Sequence, residues 1–216
     1  MTDKKKQQQT GPERRIFENT VQLVTRDGQE DSRMIRGYFA KFNTLSRSIG
    51  WGFKEKIKPG AFDDIDFAND DIVALFNHNF DHIVGRTIGT PKMTMGVDDI
   101  GAFYEFEAPT TTAGNDLLEN VKRGLVQHSS FSWPRGTTED IWEDDVEHGE
   151  VRTISKFTRL IDVAPVVNPA YSDTTVDARG YEGAKESYEA WKKDNRSFDT
   201  YEAEAEKRKL EIERMR

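Results

Sequence analysis

The 216-residue chain contains no cysteine. That excludes disulfides, thiolate metal sites and a cysteine nucleophile together, so any covalent chemistry must use an oxygen or an amine. No run of 18 apolar residues occurs anywhere, and the N-terminus MTDKKKQQQTGPERR lacks the apolar stretch of a secretory signal. Neither membrane insertion nor export is therefore expected. Histidine is scarce, with four in all: His78, His82, His128 and His148. Net positive charge is missing as well. The formal balance is -8, and with the ends set aside the middle of the chain stands at -10, which argues against nucleic acid as its ligand.

What is present is polar for a compact domain, 35% hydrophobic and 32% charged, so part of the length is expected to lie outside a core. Residues 1–15 carry five basic residues against two acidic ones and a glutamine run, and read as a disordered basic tail. From Gly180 onward, 19 of 37 residues are charged and helix formers dominate. Ala184, Tyr188 and Trp191 fall on one helical stripe, and beyond Phe198 the apolar spacing becomes irregular. Residues 180–216 are read as a charged helical or partly disordered extension, leaving 16–179 as the folded domain.

Within that domain, short apolar or alternating runs are separated by turn residues. Strands are expected at 20–25, 34–42, 71–78, 83–88, 101–108, 151–157 and 159–167. Two helices interrupt them, one at 61–68 after the Pro59-Gly60 turn and one within 110–124, with threonines to cap its start and Gly124 to end it. Residues 137–150 hold seven acids in fourteen positions and read as a solvated hairpin or loop. The expected class is α+β: a mostly antiparallel, barrel-like core of seven or more strands with a few flanking helices.

The segment QHSSFSW, 127–133, follows the second helix. If it is extended, His128, Ser130 and Ser132 share one face, and Ser129, Phe131 and Trp133 share the other. Phe131 and Trp133, with Phe62, read as core, while the hydroxyls of an edge strand would meet water. A serine nucleophile needs a neighbouring base, and imidazole suits the task. His128 is a poor partner for Ser130, because residues two apart on a strand are separated by about 6.8 Å along the backbone, whereas a base must reach to roughly 3 Å. His148 lies in the acidic segment. That leaves His78 and His82, set at i and i+4 in HNFDH; a metal site there would resemble a zincin only with glutamate after the first histidine, and that position is Asn79.

Four strings occur in order: IKPGAF (57–62), ALFNHNFDHIVGR (74–86), GLVQHSSFSW (124–133) and LIDVAPVVNPAYSDTTV (160–176). Each is weak singly. Together, from about Arg36 to Val176, they resemble the prohead proteases of tailed bacteriophages, a family distantly similar to the herpesvirus assembly proteases. The resemblance implies a serine endopeptidase with His78 as base, Ser130 as nucleophile and Asp162 as the acidic member. Many relatives carry glutamate where this chain has Asp162, and SFGF where it has SFSW. Ser129 as nucleophile, and His82, His128 or His148 as third member, are the alternatives.

The resemblance further implies a herpesvirus-protease-like fold, no cofactor and no metal. The expected partners are the major capsid protein with its scaffold segment, the chain itself as substrate, and a second copy in a homo-oligomer; neither nucleic acid nor membrane is expected. The implied place of action is the procapsid in the host cytoplasm. A non-catalytic capsid-assembly or scaffold module that keeps the fold is the second reading, and a metallopeptidase built on His78 and His82 is the third.

Overall fold

A computed structural model describes residues 11–18, 20–24, 32–167 and 183–194. The chain divides into two compact units, residues 1–181 and residues 182–216. The first contains, in chain order, β1 (Glu13–Phe17), β2 (Val21–Leu23), β3 (Met34–Lys41), β4 (Lys54–Ile57), β5 (Val73–Leu75), a 3-10 turn (Phe76–His78), β6 (Ile83–Arg86), β7 (Thr94–Val97), β8 (Gly101–Glu107), α1 (Thr112–Lys122), β9 (His128–Trp133), β10 (Thr138–Asp145), β11 (Gly149–Phe157) and β12 (Asp162–Val166).

Among the described residues the strands form three sheets, ordered β1-β9-β12-β5-β6, β2-β3-β8-β7 and β10-β11-β4. Most pairs are antiparallel; β12 with β5 and β11 with β4 are parallel. The class is α+β with a predominance of sheet, as expected, but the strands close into no barrel among the described residues. Their inward residues meet in one core. Phe62 and Phe157 stack at 4.7 Å, Phe131 lies 5.4 Å from Phe39 and 4.8 Å from Trp133, and all five are buried. Each such ring contributes roughly 1.5–3 kcal/mol by leaving water.

The helix expected within 110–124 forms. The Thr111 side chain accepts from the Gly114 N–H to cap its start, and Leu117, Leu118 and Val121 line its buried face. Gly124, at φ +68°, takes the left-handed conformation that ends it. The helix expected at 61–68 does not form. The Asp63 N–H bonds to Gly60 O and the Ile65 N–H to Phe62 O, three residues back in each case, and the Asp66 carboxylate then accepts from the Ala68 and Asn69 amides. These are successive turns that bury Ala61, Phe62 and Ile65. Local side-chain bonds from Asp66 win the competition with a helical ladder.

Two strands occupy segments that their charge marked as outside the core. β1 begins at Glu13, inside the stretch read as a tail, and buries Glu13 and Arg15. Its full length pairs antiparallel with β9. Arg15 reaches Glu55 on β4 at 2.6 Å and Glu13 at 3.2 Å; Arg152 on β11 reaches Glu55 at 2.9 Å, Glu13 at 3.3 Å and Asp140 on β10 at 2.7 Å. None of these side chains is more than 5% exposed. Charges that satisfy one another can be buried where single ones cannot. In the acidic segment, β10 forms a hairpin with β11, anchored by buried Trp142, which packs on Phe53 at 5.1 Å.

In the second unit, residues 183–194 form a helix carrying Ala184, Tyr188 and Trp191, and the Tyr188 and Trp191 rings lie 5.7 Å apart. The charged run beyond Phe198, and most of the N-terminal tail, lie outside the described residues. No helix among the described residues is long and apolar enough to cross a membrane.

Candidate active site

β9 is not an edge strand. It lies between β1 and β12, so the hydroxyls expected to meet water are enclosed on both sides. Ser129, Ser130, Phe131, Ser132 and Trp133 are all buried. The alternation read from the sequence holds. Ser130 and Ser132 point to one face, while Ser129 points to the other, where its Oγ lies 2.8 Å from the hydroxyl of buried Tyr104. Burial pushes the Tyr104 phenol well above its usual range. Gly37 makes room for that pair: a methyl group there would fall 2.4 Å from the Tyr104 hydroxyl and 2.6 Å from Ser129 Oγ.

His78 closes the 3-10 turn that follows β5. Its Nε2 is 2.6 Å from Ser130 Oγ, and its Nδ1 is hydrogen-bonded to Asp162 Oδ1. An ionised carboxylate only accepts, so Nδ1 carries the proton and Nε2 is left to accept from the serine hydroxyl. The second oxygen of Asp162, Oδ2, accepts a hydrogen bond from Ser132 Oγ. Asp162 is 1% exposed, and the His78 side chain 9%. The carboxylate that interrupts the apolar run of β12 is thus buried with a partner on each oxygen, as a buried charge requires.

Sheet pairing sets these distances. Asp162 stands directly opposite Ser132 in the antiparallel β9-β12 register and beside Val73 in the parallel β12-β5 register. β5 then delivers the chain into the turn that holds His78. Asn77 and His78 have φ of 55° and 56°, two consecutive left-handed residues, neither of them glycine. Asparagine is among the few residues that tolerate the region. The Asn77 side chain accepts the Val167 N–H at 3.0 Å, tying the turn to the end of β12.

All three residues singled out in the sequence, His78, Ser130 and Asp162, therefore meet. The other histidines do not join them. His82 is exposed and faces Phe76 with ring centroids 6.4 Å apart; His128 is half-buried on β9, its proton affinity lowered by that burial against an opposing pull from Glu18; and the His148 ring lies 3.4 Å from Lys54 Nζ. Both ring nitrogens of His78 are engaged, which removes it as half of a metal pair with His82. Among the described residues no group of three or more histidines and carboxylates is placed to hold a metal. Sequence reasoning missed Ser132 and Asn77. The shared face of Ser130 and Ser132 was a usable signal for the first; nothing in the sequence marks the second.

A relay of three groups, hydroxyl, imidazole and carboxylate, held by separate elements and enclosed, is an arrangement for making an alcohol oxygen nucleophilic. The family model of caudovirus prohead serine proteases matches residues 19–193. No curated protein and no solved structure matches the chain. With most of its length covered, the chain belongs to that family and is a serine protease of the phage prohead.

Proposed function

We propose that this caudovirus prohead serine protease is an endopeptidase that uses Ser130 as nucleophile, His78 as general base and acid, and Asp162 as the group that orients the imidazole. Ser130 Oγ attacks the carbonyl carbon of the scissile peptide bond while His78 Nε2 takes its proton. The imidazolium that forms is stabilised by Asp162 and returns the proton to the leaving amine as the C–N bond breaks. Water, deprotonated by the same nitrogen, then hydrolyses the acyl ester and restores the serine. The observation that carries this reading is the 2.6 Å approach of His78 Nε2 to Ser130 Oγ with Nδ1 bonded to a buried carboxylate.

The substrates proposed are the scaffold portion of the major capsid protein and the protease's own terminal segments, cleaved inside the procapsid within the host cytoplasm. Confinement raises the effective concentration of both, so modest intrinsic activity suffices. The charged C-terminal extension, residues 180–216, is proposed as a docking or packing element that is lost or rearranged on activation. By its sequence resemblance the architecture is proposed as a variant of the herpesvirus assembly protease fold.

Co-expression of the protease with the major capsid protein, followed by intact-mass analysis, tests this. Native protease yields truncated capsid protein with defined termini, and Ser130→Ala yields none. Processing that continues unchanged in Ser130→Ala contradicts the proposal and leaves an assembly module in its place.

A further inference from the structure

We propose that Ser132 is a positioning residue of this site: its hydroxyl, donated to the second oxygen of Asp162, fixes the carboxylate so that the first oxygen can orient His78. The inference rests on the serine-protease reading and adds to it a fourth residue that touches neither substrate nor the reacting atoms. A carboxylate held only through Oδ1 would have a bare anionic oxygen in a site 1% exposed to solvent. It would then favour taking up a proton or turning about its terminal torsion, and either change loosens the imidazole. Ser132 removes both options.

The sheet supplies the donor by register. Ser132 lies opposite Asp162 in the β9-β12 pair, the Ile161 N–H bonds to Ser132 O at 2.9 Å, and the residue is fully buried. Because side chains two apart share a strand face, the strand that presents Ser130 to Nε2 also presents Ser132 to Asp162. One element thus grips both ends of the His78-Asp162 pair. A shift of β9 that moved the nucleophile would move the carboxylate's anchor with it.

The pH dependence follows in sign. The resting pair carries one negative charge, and a hydrogen bond to that charge favours it over the protonated form. Without the hydroxyl the pair holds a proton more tightly, so the acid limb of activity moves to higher pH. Few other ionisable groups face Asp162. β5 has none, the turn contributes His78, β9 contributes only His128, whose partner in register is Val166 at the far end of β12, and β3, which also packs on β12, contributes Lys41 and the Arg36 and Tyr38 side chains that bond to Asp98.

The test uses the purified full chain and a fluorophosphonate, with which Ser130 Oγ forms a bond to phosphorus, fluoride leaves and His78 accepts the hydroxyl proton. Labelling rates are measured from pH 5 to 9 for native protein, Ser132→Ala, and the isosteric pair Ser132→Thr and Ser132→Val, which differ by a hydroxyl against a methyl. Ser132→Ala should label at least tenfold more slowly at neutral pH with its acid limb displaced upward, and the threonine variant should exceed the valine variant in the same sense. A native rate and limb in Ser132→Ala, a uniform drop with an unmoved limb, or equal behaviour of the threonine and valine variants overturns the positioning role. Ser130→Ala is the control that separates the two readings: labelling that persists there overturns the protease reading itself, and its loss leaves that reading standing whatever Ser132 does.

Discussion

Asn77 and His78 show how much of the site depends on conformations that a residue type must tolerate. The left-handed region costs most residues about 1–2 kcal/mol and β-branched ones more. Here two such residues in succession turn the imidazole back over β12, with the Asn77-Val167 bond holding the turn in place. Asn77→Gly keeps the conformational freedom and loses only that bond; Asn77→Val places a branched side chain where φ is positive. The expected result is fluorophosphonate labelling within a few-fold of native for the glycine variant and more than tenfold slower for valine, with a lower melting temperature. Equal rates in the two variants would show that the turn's geometry does not set the position of His78. At this scale the sequence was most informative about parity. Alternation along 128–133 placed Ser130 and Ser132 together, whereas the partner of Ser132 depended on a register with β12, 30 residues away in the chain, and that of Ser130 on a turn 52 residues away, which no local pattern encodes.

Elements were legible where hydrophobic alternation drew them and illegible where charge did. β3, β8, β11 and β12 fall within a few residues of their expected bounds because they are apolar on at least one face. β1 escaped notice, and β10 was expected only as part of a solvated hairpin or loop, because their inward residues include Glu13, Arg15 and Asp140, which reach burial only through partners on other strands. The network they form braces β9, the strand that carries Ser130, since β1 pairs with β9 and the Arg15 guanidinium sits 5.0 Å from the centre of the Trp133 ring. Glu55 is its hub. Burial alone would raise the proton affinity of this carboxyl, but the charges of Arg15 and Arg152 outweigh it and hold the pKa below the usual range. A carboxylate depressed in this way contributes stability that is complete above its unfolded pKa of about 4.3 and is lost as pH falls through the folded value. Glu55→Gln, which removes one of the two anions that bridge the buried Arg15 and Arg152 guanidiniums, should cost about 3–5 kcal/mol at pH 7 in urea unfolding. It should also lose less further stability than native protein between pH 5 and pH 3. An unchanged midpoint at pH 7, or parallel acid losses, would show that the network carries no such role.

At the scale of the whole molecule, the class was legible and the closure was not. Counting strands with turn signals suffices for a sheet-rich α+β domain, but how strands distribute among sheets depends on pairings such as β12 with β5 that join residues about 90 apart in sequence. That pairing assembles the site: it sets Asp162 beside the strand that leads to His78, while β9 on the other side brings Ser130 and Ser132. The proposed mechanism requires this convergence to make one hydroxyl, that of Ser130, reactive among three serines within four residues. Peptide mapping by tandem mass spectrometry of the fluorophosphonate-treated chain tests it most directly. A single phosphonyl adduct on Ser130, absent when His78 is replaced by alanine, is the predicted result. An adduct on Ser129 or Ser132, or one on Ser130 that forms equally fast without the imidazole, would contradict it.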